Sequence, residues 1–183
     1  MIKQTLFLHG GNEFHPDSAE FDDYFVNAVK DMRIGIYPGA STSERDRIAT
    51  VAFASGYFTL YGIELIEVNP SEFRAIDALI LPGGSPDKLL DELSGHVDSL
   101  RELFERGVIY GASAGAMVLG RGYMLSGRWR TGLALGEFEA LVHFHGQFPE
   151  RTGPLYGLPE GGGLAVAKSG EILAKSSGVA IRA

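Results

Sequence analysis

Short apolar runs that stop at turns, separated by stretches of helical periodicity, leave this chain very few architectures. Thr5 to Leu8, Arg33 to Tyr37, Ile63 to Val68, Ala78 to Leu81 and Gly107 to Tyr110 read as strands. Between them, Asp17 to Lys30 places Phe21, Tyr24, Phe25, Ala28 and Val29 on one side of a helix. Ser41 and Glu44 have the spacing of a capping box for a second helix, which carries Ile48, Val51, Ser55 and Phe58 and ends at Gly62. Ser85-Pro86 suits the start of a third, with Leu89, Leu90 and Leu93, and Val97 to Phe104 supplies a fourth. Such alternation with short connections predicts an α/β fold, a mostly parallel sheet covered by helices on both faces.

Beyond Leu119 the pattern changes. Arg121 to Arg130 predicts a hairpin or loop, Ala140 to His145 a strand, and Gly161 to Ala183 short, largely antiparallel strands. No linker or internal repeat stands out, so residues 1–183 read as one domain.

The composition removes several function classes. Cysteine is absent, which excludes disulfides, thiolate metal sites and a cysteine nucleophile. A formal charge of −7 without a basic stripe argues against nucleic acid. No apolar run approaches the roughly 20 residues of a membrane helix, and the apolar run before His9 is too short for a signal-peptide core. A cytoplasmic enzyme without a cofactor is the default expectation, and exposed strands and helices leave a homo-oligomer open.

Ligands of parallel sheets bind beyond the carboxyl ends of the strands. His9-Gly10-Gly11, Pro38-Gly39-Ala40, Pro82-Gly83-Gly84 and Ser113 all fall at such ends. Ser113 lies in Gly111-Ala112-Ser113-Ala114-Gly115, a Gly-x-Ser-x-Gly run between a strand and a helix, which suits an exposed nucleophile on a tight turn. A serine needs a base, and histidine serves near neutral pH. His15 and His96 read as surface residues, whereas His9 could line the pocket. His143 and His145, two apart on a strand, point to one face, as a base with a neighbour or as a zinc pair without a third ligand. No aspartate follows Asp98, so every carboxylate downstream of the serine that could stand behind the histidine is a glutamate. Glu160, in Gly157-Leu158-Pro159-Glu160-Gly161, is one candidate, and Glu137 and Glu139 are others. Oxyanion donors are Ala114 N–H with Gly83 or Gly84, and the rival is Gly10-Gly11, placed like a lipase oxyanion loop.

Taken together, these segments resemble the serine peptidase family of peptidase E (aspartyl dipeptidase) and cyanophycinase. The resemblance rests on Leu6 to Gly11, Ile36 to Ser41, Leu81-Pro82-Gly83-Gly84 with Leu89-Leu90, Gly111 to Ala116, His143-Phe144 and Gly157 to Gly161. It implies a class I glutamine amidotransferase-like fold and hydrolysis of short peptides. It further implies Ser113 as nucleophile, His143 as base, Gly84 and Ala114 with Gly83 at the oxyanion, and Glu160 in the acidic role. Peptidase E carries an aspartate between the serine and the histidine, where this chain has Leu125 to Arg130. Glu160, Glu137 or Glu139 then substitutes, or the site works as a dyad. The family's substrate arginine falls between His143 and Glu160, where Arg151 stands, with His145 and His9 as further substrate contacts. Two other readings remain, a small serine esterase and a non-catalytic amidotransferase-like binding module.

Overall fold

The computed structural model describes residues 4–183. Strands β1 (Thr5–His9), β2 (Ile34–Ile36), β3 (Leu65–Glu67), β4 (Ala78–Leu81) and β5 (Val108–Ala112) lie parallel in the order β1-β5-β4-β2-β3. Their side chains alternate between two cores, as a period of two requires. Phe7, Ile80 and Tyr110 face α1 (Ala19–Ala28) and α2 (Glu44–Thr59), packing with Phe21, Phe25 and Phe58. Leu6, Leu8, Leu79, Leu81 and Ile109 face α3 (Pro86–Ser94), α4 (Val97–Arg106) and α5 (Ala114–Leu119). Burial on both faces explains why the inner strands read as unbroken apolar runs. β3, at the sheet edge, is shorter and more exposed than its apolar pattern predicts.

The second half holds a feature that the sequence pattern does not reveal. Strands β6 (Gly122–Leu125), β7 (Arg128–Thr131), β8 (Glu139–Val142), β9 (Leu155–Leu158) and β12 (Ala180–Arg182) form a separate five-stranded sheet, ordered β12-β9-β8-β6-β7. β6 and β7 make the expected hairpin, but β8 runs parallel to both β6 and β9. β10 (Gly163–Ala167) pairs antiparallel with β1, and β11 (Ile172–Lys175) with β10, completing a seven-stranded first sheet. Alternation fixes which face of a strand is buried. It does not fix which sheet the strand joins.

Two local details position the site. The N-cap of α2 is Ser43, whose hydroxyl accepts Asp46 N–H at 3.1 Å, while Ser41 lies buried in the preceding loop. Both serines precede an acid by three residues, so spacing alone did not separate them. At the elbow, a Cβ on Gly111 would sit 2.7 Å from Gly115 C, and one on Gly115 would overlap the Leu81 carbonyl. The two glycines therefore let α5 lie close against β5 and β4.

Candidate active site

Ser113 bridges β5 and α5 with φ 46° and ψ −107°, a conformation rare for a residue with a side chain. Such a backbone persists only where its surroundings impose it. Here Ser113 N–H donates to the His9 carbonyl at 2.9 Å, and the Ser113 carbonyl accepts Met117 N–H at 3.0 Å. Ala114 N–H opens the helix and has no acceptor within it.

His143 directly follows β8, and it too has positive φ, 50°. Its Nε2 stands 3.3 Å from Ser113 Oγ, and its Nδ1 stands 3.0 Å from Glu160 Oε1. Glu160 follows β9, in the turn before β10. The three side chains thus form one hydrogen-bonded line, Ser113–His143–Glu160, half open to solvent at its acid end. The side chains of His143 and Glu160 are 47% and 57% exposed.

What aligns them is the end of β1. Three consecutive carbonyls, of His9, Gly10 and Gly11, accept the backbone N–H groups of Ser113, His143 and Gly161, each at 2.9 Å. A Cβ on Gly10 would overlap the Leu158 and Pro159 carbonyls, and one on Gly11 would run into the His143 ring. The Gly10-Gly11 pair is therefore not an oxyanion loop. Its N–H groups are occupied, Gly10 N–H by the Gly162 carbonyl at 2.9 Å and Gly11 N–H by His9 Nδ1 at 3.3 Å.

The remaining expected residues divide sharply. Gly84, at φ 138°, turns the loop after β4 against Ala40. Gly83 stands beside Ser113, but its N–H donates to Glu13 Oε1 at 2.8 Å, so it is not a free donor. Glu13 lies in the loop after β1. No sequence motif singles it out, although its place after a strand's carboxyl end puts it at the active rim.

His9 is fully buried against Phe21 and Tyr110, and burial pushes its pKa down to about 4. It supports the floor and does not reach a substrate. Because β8 ends at Val142, His145 does not share a strand face with His143. It is exposed and joins no hydrogen bond among the described residues. Arg151 is committed elsewhere: it grips Glu139 at 2.9 and 2.5 Å and stacks over Trp129. Glu139 opens β8, so this pair lies roughly 13 Å back along the strand from His143. Arg151 holds the Glu139 carboxyl below its ordinary range, and Glu139 is 2% exposed, so it cannot serve the histidine. Glu137 is exposed and unpaired among the described residues. A cavity of about 680 Å³ opens between Val29, Met32, Arg33 and Ile63, where β2 begins, at the opposite end of the sheet. Its volume marks no chemistry of the kind gathered at Ser113.

No protein-family model matches the sequence, and no curated protein does. Solved structures do. A peptidase from an acI-B1 actinobacterium superposes with a TM-score of 0.73 at 20% identity, over 89% of this chain and 83% of the other. A putative peptidase E protein from Listeria monocytogenes EGD-e superposes with a TM-score of 0.67 at 16% identity, over 100% of this chain and 98% of the other. The chain therefore has the α/β fold of peptidase E, class I glutamine amidotransferase-like, as the sequence motifs implied.

Proposed function

We propose that this chain is a serine peptidase that hydrolyses short peptides through an acyl-enzyme. The observation that carries the reading is the line from Ser113 Oγ through His143 to Glu160, built on a strained elbow. With Nδ1–H donating to Glu160, Nε2 is left as the acceptor for the serine proton. Ser113 Oγ attacks the scissile carbonyl as Nε2 takes that proton. Glu160 then steadies the imidazolium. The developing oxyanion meets the N–H groups of Gly84 and Ala114. The imidazolium returns the proton to the leaving amine, the C–N bond breaks, and an ester remains on Ser113. Water, deprotonated by His143, hydrolyses that ester and restores the enzyme.

A Ser–Oγ···Nε2 distance of 3.3 Å is long for a neutral hydrogen bond, as is common in unliganded sites. The likeness in fold to two peptidases supports peptides as the substrate class. A lipase-like esterase loses its oxyanion loop to the occupied Gly10 and Gly11 donors, and its acid to the Glu139–Arg151 pair. A binding module that lacks an acid loses its argument to Glu160. Among the described residues no helix is long and apolar enough to cross a membrane. The test is Ser113→Ala: it abolishes peptide turnover and labelling by a fluorophosphonate probe, with thermal unfolding unchanged within a few degrees. Labelling that persists in this variant refutes the assignment.

A further inference from the structure

The loop that carries the proposed oxyanion donor Gly84 has little stiffness of its own. Pro82-Gly83-Gly84 places two consecutive glycines between β4 and α3, and glycine restricts backbone rotation least. A donor has its full effect only when it is already aimed as charge develops. Contacts from outside the loop must therefore hold it.

Two such contacts come from other strand ends, one on each side of the Gly83–Gly84 peptide. On one side, Ser85 N–H donates to the Ala40 carbonyl at 2.8 Å, in the loop after β2. Gly84, at φ 138°, rests against the same carbonyl, and a Cβ there would lie 2.5 Å from its oxygen. On the other side, Gly83 N–H donates to Glu13 Oε1 at 2.8 Å, across 70 positions of sequence. The loop is thereby set against Ser113: a Cβ on Gly83 would lie 3.3 Å from Ser113 Cβ. Between the two clamps, Gly84 N–H joins no hydrogen bond among the described residues, and Gly84 is exposed.

Glu13 is itself fixed from behind. Asn12 and Phe14 have φ of 56° and 59°, left-handed values that non-glycine residues hold only under constraint. Phe14 is buried, edge-on to Phe58 and stacked near Tyr110, and the Asn12 carbonyl accepts Ser18 Oγ–H at 3.2 Å. Gly83 N–H is the one hydrogen-bond partner of Glu13 among the described residues, and no cation there pairs with it.

We propose that Glu13 is a positioning residue of the acyl transfer: it clamps Gly83 so that Gly84 N–H stays aimed at the oxyanion beside Ser113. The inference rests on the serine peptidase reading, with Gly84 as a donor. The role needs an acceptor at this place and not a charge. A negative carboxylate opposes an oxyanion forming nearby, so an uncharged acceptor serves at least as well. Because the oxyanion develops only on the way to the tetrahedral intermediate, the clamp acts on kcat and leaves ground-state binding alone.

Glu13→Ala, Glu13→Asp and Glu13→Gln are compared with wild type in peptide turnover, rate of fluorophosphonate inactivation and thermal unfolding. E13A removes the acceptor and E13D draws it back by one carbon. Both lose about 10- to 100-fold in kcat, less than the loss of a donor outright, and inactivation slows in parallel. KM stays within about threefold of wild type. E13Q keeps an oxygen in place and retains the wild-type kcat or exceeds it. If E13A does not fold, E13D against E13Q decides. Full kcat in E13D or in folded E13A overturns the proposal, as does a loss confined to KM, or E13Q that falls as far as E13D. A rise of kcat in E13A overturns it too, since Glu13 would then be a plug over Gly83 N–H. Wild type that is not labelled at Ser113 removes the peptidase reading beneath it. Wild type that is labelled, with E13A and E13D labelled at the same rate, removes this inference alone.

Discussion

Gly11→Ala is the sharpest perturbation of the proposed mechanism, because it alters none of the three reacting side chains. Gly11 has φ 124°, and a Cβ there would lie 2.8 Å from His143 Nδ1, 3.1 Å from Nε2 and closer still to Cε1. Non-bonded carbon contacts settle at about 3.5–4.0 Å, so either the ring or the Gly11 backbone must move by about 1 Å. If the ring moves, its 47% exposure lets it swing outward at little cost to folding. The contact with Ser113 Oγ, already 3.3 Å, is then lost. If the backbone moves instead, the Gly11 carbonyl leaves Gly161 N–H and takes the Glu160 turn with it. Either route breaks the line. Loss of a positioned general base is worth about 10²–10⁴ in rate, and a misplacement of about 1 Å alone about 10². Against that, the left-handed alanine costs about 1–3 kcal/mol of stability, or roughly 2–12 °C in Tm for a domain of this size. The expected result is a folded protein whose inactivation by a fluorophosphonate, and whose kcat/KM, fall at least about 100-fold. A folded G11A with near wild-type inactivation rate would refute the alignment argument.

Other outcomes follow from the same geometry. Glu160→Gln lowers kcat/KM by about 10- to 1,000-fold, less than a buried acid would, because its side chain is 57% exposed; stopped-flow acylation across pH checks it. Arg151→Ala leaves turnover near wild type and strips the 2% exposed Glu139 of its main partner, leaving Arg121 at 3.8 Å and the more remote field of Arg182. Partial exposure of the arginine keeps the cost below that of breaking a fully buried pair, and urea unfolding reads it. Asp22 is buried, and desolvation raises its pKa to about 6 despite hydrogen bonds from Tyr110 and Tyr57. Folding then favours the protonated acid: the contribution is complete below the unfolded value near 4 and lost as pH rises through about 6. The loss is of the order of 3 kcal/mol. The buried His9, held near 4, acts in the opposite sense over the same window and equally in both proteins, so urea stability of wild type relative to Asp22→Asn should fall between pH 4 and pH 6.5.

The reach of the sequence can be judged residue by residue. The parallel strands were legible because each is buried on both faces and ends in a turn, and Ser113 was legible because its glycines allow α5 to close on β5. Glu160 was legible only as one glutamate among three. Its contact with His143 is visible only in the fold, and the ion pair that occupies Glu139 joins it to Arg151, positions 12 apart, through a sheet that no local pattern announces. Arg151 was misplaced for the same reason. His143 and His145 looked like one strand face until the strand ended at Val142, one residue too soon for the pairing to hold.

His9-Gly10-Gly11 shows why a motif can be found for the wrong reason. Glycines at a strand end suggest a loop that offers N–H groups to a substrate, and the sequence supports that inference as well as any other. In the fold those N–H groups face inward, and the carbonyls do the organising. They take Ser113 from the first sheet, and His143 and Gly161 from segments that follow strands of the second. These parts therefore come together where two sheets meet, with the carboxyl end of the interior strand β1 as their common reference. Side chains at positions 10 and 11 would collide with the parts being aligned, so the requirement is for absence of Cβ more than for flexibility. It follows that a glycine distant in sequence from Ser113, His143 and Glu160 controls the geometry of the His143 ring, and that the tolerance of this site to substitution is set as much by β1 as by Ser113.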